Sequence, residues 1–386
     1  MLTGNEVVFR STIKVIHDIL LNRYKSLQEA LQALILGLLL LVQPALANPQ
    51  IAAHPIFLLT FNSRFCDYFC TMKNIKIIAV KSEIGAGTRG ASLGFDAIKI
   101  AALDFGSTFF KQFPEEQIQD ENDMLLEPAR SPHARRGKGV LNVCERVSHT
   151  VERTLRDGSF PIVIAGDHSS SAGTIAGVKA AYPDARIGVI WIDAHADLHS
   201  PYTTPSGNMH GMPLAISLAE DNISQRSNAP DAATIEFWEQ CKNMNNISPK
   251  IRYENLVYVS VRDTEPQEDY LIRQNKVKLF STDEINNFGI DKIAREILTA
   301  VEPCDYIYVS FDVDSMDPTI SRGTGTPAPN GITEKQAASL LQRLMQSPKV
   351  CCFEITEINP TLDKENLMAE NAFEILLKVT NQLLYD

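Results

Sequence analysis

Residues 186–200 read RIGVIWIDAHADLHS, an apolar run that ends abruptly in alternating acid and imidazole. Its first half, 186–193, is nearly continuous in apolar residues, the mark of a strand buried on both faces of a parallel sheet. Asp193, His195, Asp197 and His199 then fall at strict alternate positions. Extended backbone turns alternate side chains to one face, so all four groups point the same way. Desolvating them together without a counter-charge would be costly. Whether that counter-charge is a metal ion is for the rest of the chain to answer.

The same strand pattern recurs along the chain. Apolar, β-rich runs occur at 76–80, 161–166, 255–261, 278–281, 305–313 and 350–356. Amphipathic helices separate them, among them 139–156, with Val140, Val143, Val147 and Val151 on one side. Another, 334–346, follows a Thr333 cap, and a last helix runs through NAFEILLKVTNQLL at 371–384. Strands alternating with helices predict a three-layer α/β/α sandwich around a mostly parallel central sheet. Two polar stretches, 115–138 and 220–250, read as excursions over the surface.

The composition excludes some classes of partner. Of 386 residues, 44% are apolar and 22% charged, which suits a globular chain with a sizeable core. A net charge of -11 and the lack of any dense Lys/Arg run argue against a nucleic-acid partner. Seven cysteines, odd in number and scattered without a CxxC spacing, fit reduced buried thiols better than a disulfide framework or zinc cage.

The N-terminus reads differently. ALILGLLLLV at 33–42, followed by Pro44 and Ala-Leu-Ala at 45–47, has the form of a signal-peptide core with a small-residue cleavage site. The run is too short for a membrane span, and the leader before it carries Glu6, Asp18 and Glu29. MKNIKIIAV, from Met72, reads as the opening strand of a cytosolic domain. The expectation is a leader or over-extended start over 1–71 and a cytoplasmic catalytic domain over 72–386, without a membrane partner. Export is the alternative if 33–47 acts as a signal.

Ligands of open parallel sheets bind beyond the carboxyl ends of the strands. The run at 161–166 ends in Asp167 and His168, and 186–193 in Asp193, His195 and Asp197. The run at 305–313 ends in Asp312 and Asp314, and 350–356 runs into Glu357. Singly, such an aspartate is as readily a helix N-cap, and a lone His168 a satisfied core histidine. Together, two histidines and four aspartates suit two hard divalent ions such as manganese better than zinc. Two ions roughly 3.5–4 Å apart can share a water acidic enough to lose a proton near neutral pH, and the hydroxide left can attack an electrophilic carbon.

Four ordered stretches, GDHS (166–169), DAHAD (193–197), SFDVDSMDP (310–318) and EINP (357–360), resemble the ureohydrolase family of arginases, agmatinases and formiminoglutamases. The resemblance covers roughly 75–384 and is closest to arginase. It implies an arginase-like fold and two manganese ions per subunit. His168, Asp193, Asp197 and Asp312 would hold one ion. His195, Asp193, Asp312 and Asp314 would hold the other, with Asp193 and Asp312 bridging. It places Asp197, His210 and Glu357 among the catalytic groups, His210 as a proton shuttle and Glu357 gripping the guanidinium by two parallel hydrogen bonds.

The resemblance extends to TTPSGNMHGMP at 203–213, similar to the arginase loop in which Ser206 and Asn208 would read an α-carboxylate. Thr326 would line the guanidinium end, and Glu265 stands where arginases carry an aspartate that contacts the α-amino group. His199 departs from the pattern: arginases have an asparagine there, and His199 is expected at the pocket mouth, binding the carboxylate. The implied activity is cleavage of L-arginine to L-ornithine and urea, with agmatine or another guanidino or formimino compound as the alternative substrate. A family member without chemistry would usually have lost a ligand, and all six metal positions are filled here. The family also implies a homo-oligomer, a trimer or hexamer.

Overall fold

Along each central strand, successive residues join opposite cores. Ile162 and Ile164 pack into one apolar cluster and Val163 and Ala165 into another. Ile190 and Ile192 likewise part from Val189 and Trp191. A strand apolar on both faces cannot lie at a solvated surface, so the sheet must be covered twice. The computed structural model describes residues 73–385 and shows this arrangement. The expectations for residues 1–71, with Cys66 and Cys70, lie outside the described residues.

Eight strands form one sheet: β1 Asn74–Val80, β2 Glu115–Ile118, β3 Ser159–Ala165, β4 Ile187–Ile192, β5 Leu256–Val259, β6 Lys278–Phe280, β7 Tyr306–Asp312 and β8 Val350–Thr356. Their order is β2-β1-β3-β8-β7-β4-β5-β6, and every pairing is parallel. Helices Gly94–Asp104, Ile290–Ala300, Glu334–Leu344 and Leu367–Tyr385 supply one covering layer. Gly137–Arg156, Ser171–Ala181, Pro213–Leu218 and Ala232–Lys242 supply the other. The fold is the three-layer α/β/α sandwich.

The polar stretches at 115–138 and 220–250 hold more structure than the sequence showed. The first contributes edge strand β2, the second the helix Ala232–Lys242, whose Trp238 and Cys241 are buried. The cysteines among the described residues, Cys144, Cys241, Cys304, Cys351 and Cys352, are all buried free thiols.

Topology gathers the site. The four strands whose ends carry the acids and histidines, β3, β8, β7 and β4, are consecutive in the sheet. Parallel pairing brings their carboxyl ends to one edge.

Candidate metal centre and substrate pocket

Three carboxylates converge on one ring nitrogen. His168 Nδ1 lies 3.0 Å from Asp193 Oδ2, 3.1 Å from Asp197 Oδ2 and 3.1 Å from Asp312 Oδ2. All four side chains are buried. The distances are those of hydrogen bonds, but the directions are not: His168 Nδ1 and Asp193 Oδ2 have no hydrogen-bond partner. Buried polar atoms are rarely left so. Lone pairs aimed at a common point rather than at each other are what a cation requires.

The other ring nitrogen of His168 is anchored. Nε2 lies 2.8 Å from Ser310 Oγ, and the ring stacks on Trp191 with centroids 4.1 Å apart. Such outer partners fix ring orientation and tautomer. Neither was foreseen, although Ser310 sits two residues before Asp312 on the same face of β7.

A second group adjoins the first through Asp193. His195 Nδ1 lies 3.1 Å from Asp314 Oδ2 and 3.5 Å from Asp193 Oδ1. Asp312 reaches this group only through Oδ1, which accepts the Asp314 N–H at 2.8 Å. The Thr326 hydroxyl donates to Asp314 Oδ2 at 3.1 Å, so it stands against a carboxylate of this group. Both sets, His168 with Asp193 and Asp197, and Asp193 with His195 and Asp314, could hold a metal ion. The protein alone leaves their charges poorly balanced. Burial and the Asp193 charge push Asp197 up to about 6, and burial with Asp314 and Asp193 holds Asp312 well above the usual carboxylate range.

Glu357 faces this centre from the end of β8. Its Oε1 accepts the His168 N–H at 3.0 Å and lies 2.9 Å from His210 Nδ1. Oε2 is buried without a partner, so a single oxygen remains for a ligand where the sequence suggested two parallel bonds. Burial alone would lower the His210 pKa, but the Glu357 carboxylate raises it to about 9. Glu357 and Asp197 both adopt left-handed backbone, φ 64° and 51°. Such strain persists where surrounding structure enforces it, and it clusters at functional sites.

The 203–213 loop lies alongside. The His210 N–H donates to Gly85 O at 3.2 Å, tying the loop to the turn after β1. Ser206 Oγ accepts the Asn208 N–H at 3.1 Å, and Asn208 Oδ1 accepts from Arg135 at 3.3 Å. His199 is buried rather than free at the mouth: its Nε2 lies 3.0 Å from Glu265 Oε2 and its Nδ1 3.1 Å from Thr203 Oγ1. Glu268, another residue the sequence reading missed, is buried 3.6 Å from the same Nε2. Its signal was local, an acid at the third position after Glu265 and Pro266 at a helix start.

Comparison with known proteins agrees with this geometry. The model of the Arginase family matches residues 73–381. The arginase of Bacillus subtilis (strain 168) is 32% identical over 311 residues, 79% of this chain and 96% of its own length. The structure of arginase from Bacillus caldovelox superposes with a TM-score of 0.68 at 30% identity, covering 80% of this chain and 98% of that one. Entamoeba histolytica arginase, solved in complex with L-ornithine, gives 0.68 at 26% identity over 80% of this chain and 99% of its own. The chain belongs to the arginase family, ureohydrolases that act on amidine carbon–nitrogen bonds.

Proposed function

We propose that the protein hydrolyses L-arginine to L-ornithine and urea at a centre of two manganese ions. The observation that carries this is the set of buried, partnerless atoms His168 Nδ1, Asp193 Oδ2 and Glu357 Oε2, which need a cationic ligand on the protein side and a cationic group on the substrate side. The donors are hard oxygens and imidazole with no thiolate among them, which suits manganese. His168, Asp193, Asp197 and Asp312 would hold one ion; His195, Asp193, Asp314 and Asp312 would hold the other. When bound, the ions supply an acidified water and stabilise charge that develops on the attacked carbon.

The chain's own groups do the rest. Glu357 Oε2 accepts a hydrogen bond from the guanidinium and holds its carbon toward the centre. His210, protonated near neutral pH because of Glu357, gives its proton to the leaving amine as the C–N bond breaks. Ser206 and Asn208 would receive the amino-acid end, and Thr326 would orient Asp314, to which its hydroxyl donates. Agmatine lacks the carboxylate that this loop would read.

The test is product release from manganese-loaded protein given arginine, agmatine or formiminoglutamate. Arginine is expected to exceed agmatine in kcat/KM by about 10- to 100-fold, since a hydrogen bond to a charged group contributes roughly 1.5–3 kcal/mol. Agmatine turned over as well as arginine would sink the assignment.

The catalytic domain is proposed to span 72–386 and to work in the cytoplasm as a trimer or hexamer. Support comes from the first strand at Asn74, the family match from residue 73 and the free buried thiols. No helix among the described residues is long and apolar enough to cross a membrane. Protein starting at Met72 is expected to be soluble and to keep its kinetic constants within about twofold, since changes away from buried contacts are usually small. Insoluble or inactive protein would show that residues 1–71 belong to the catalytic unit.

A further inference from the structure

Beside the metal set, His199, Glu265 and Glu268 form a cluster whose hydrogen bonds close on themselves. His199 uses Nε2 on Glu265 and Nδ1 on Thr203. Glu268 Oε1 accepts the Leu198 N–H at 3.0 Å, and its Oε2 accepts the Glu265 N–H at 3.1 Å. The contrast with the reacting end is sharp: Glu357 Oε2 there has no protein partner, whereas both ring nitrogens of His199 have one here. An incoming ammonium would have to draw Glu265 away from His199, or settle for an exposed oxygen where water competes.

An arginine stands against the 203–213 loop. The backbone N–H of Arg135 donates to Gly207 O at 2.8 Å, and its guanidinium donates to Asn208 Oδ1 at 3.3 Å. Gly207 has φ +74°, and a Cβ there would collide with Pro132 O, so the two loops are locked together. Arg135 has no carboxylate within ion-pair distance among the described residues. Arg136 stands near it: burial and then the charges of Arg89 and Arg135 lower the Arg136 pKa. Arg89 is already engaged by Glu83, 3.8 Å from its carboxylate and 2.8 Å from its carbonyl, and Arg136 donates to Met124 O, so Arg135 is the guanidinium left to a ligand beside the pocket loop.

We propose that Arg135 is a specificity-determining residue that holds the substrate's carboxylate. The far end of the pocket reads that carboxylate and gains little from an α-ammonium. The substrate class is therefore ω-guanidino carboxylates, with arginine as one member. This rests on the ureohydrolase reading above and narrows it. A guanidinium and a carboxylate match by two parallel hydrogen bonds, which a neutral side chain cannot replace.

The experiment compares three compounds on the metal-loaded full chain: L-arginine, 5-guanidinopentanoate, which lacks only the α-amino group, and agmatine, which lacks only the carboxylate. The expected kcat/KM for 5-guanidinopentanoate lies within about tenfold of arginine, because an ammonium at an exposed oxygen gains little against water. Arg135→Gln is expected to lower both carboxylates by about 10- to 100-fold, and agmatine at least tenfold less than that. His199→Asn, which opens the cluster, is expected to raise the preference for arginine over 5-guanidinopentanoate. A deficit above about 100-fold for 5-guanidinopentanoate in the unaltered protein, or equal losses on all three compounds in Arg135→Gln, overturns the proposal. If no compound releases urea, the ureohydrolase reading itself fails. Calorimetric binding of the three compounds to metal-free full chain then decides the inference alone: both carboxylates above agmatine, through Arg135, upholds it, and equal affinity overturns it.

Discussion

Asp193→Asn and Asp312→Asn are each expected to lower kcat/KM on arginine by about 1000-fold or more, and to lower bound manganese below two ions per chain. Each carboxylate is proposed to bridge the ions, and bound metal supplies several kcal/mol of transition-state stabilisation in hydrolases of this kind. The metal-free variants should part company. Burial raises the Asp193 pKa, but His168 and His195 outweigh it and hold it below the usual range. Asp193 therefore contributes stability above its unfolded pKa near 3.9, and Asp193→Asn loses it at pH 7. Asp312 is held far above that range by burial and its acidic neighbours, so its charge opposes folding and Asp312→Asn should be neutral or stabilising without metal. Adding manganese should raise the melting temperature of the unaltered protein by mass action and that of either variant much less. Denaturation with and without manganese, beside metal analysis and urea kinetics, checks all three expectations. Near-normal turnover with two ions in either variant would remove the bridging role.

The sheet was legible because its strands are buried on both faces, which writes an apolar run of recognisable length. That signal gave every strand but β2 to within two residues at each end. It also gave the site, since each metal-set residue lies at or just past the carboxyl end of such a run. Strand β2 was invisible for the opposite reason. Its sequence is Glu-Glu-Gln-Ile on the sheet edge, with Glu116 held by Lys76 at 2.6 Å and Arg153 at 2.6 Å. Its membership rests on backbone pairing with β1, which leaves no trace in residue type.

The surroundings of His199 were hidden because they are long-range. Alternation placed it on one face with Asp193, His195 and Asp197, and the backbone leaves that strand at Ile192, so alternation stops governing there. Its partner Glu265 lies 66 residues away, at the start of the helix Pro266–Gln274. Residue type alone suggested a free donor at the pocket mouth; tertiary contact made it an internal partner of two carboxylates. Arg135 escaped notice for a related reason, since it falls in the stretch 115–138 that reads as surface and gains meaning only through Asn208.

Glu357→Gln is expected to keep both ions yet lose about 100- to 1000-fold in kcat/KM. The amide can still accept the His168 N–H at the Oε1 position, so the backbone turn should survive. At the Oε2 position, however, an NH₂ would face the guanidinium donors, and a favourable charge contact becomes a clash of donors. Removing one partner of a buried charge pair typically costs about 3–5 kcal/mol. The same change releases His210. Its folded pKa of about 9 exceeds the unfolded value near 6.5, so the pair stabilises the fold fully below pH 6.5 and loses this as pH rises through 9. The shift corresponds to about 3 kcal/mol. In Glu357→Gln that decline between pH 6.5 and 9 should flatten, a signature that loss of substrate binding alone would not produce. Urea kinetics, metal analysis and denaturation of metal-free protein from pH 6 to 10 make the comparison. A variant that loses an ion, or that keeps the steep pH dependence of stability, would show that Glu357 does not act through the guanidinium and His210.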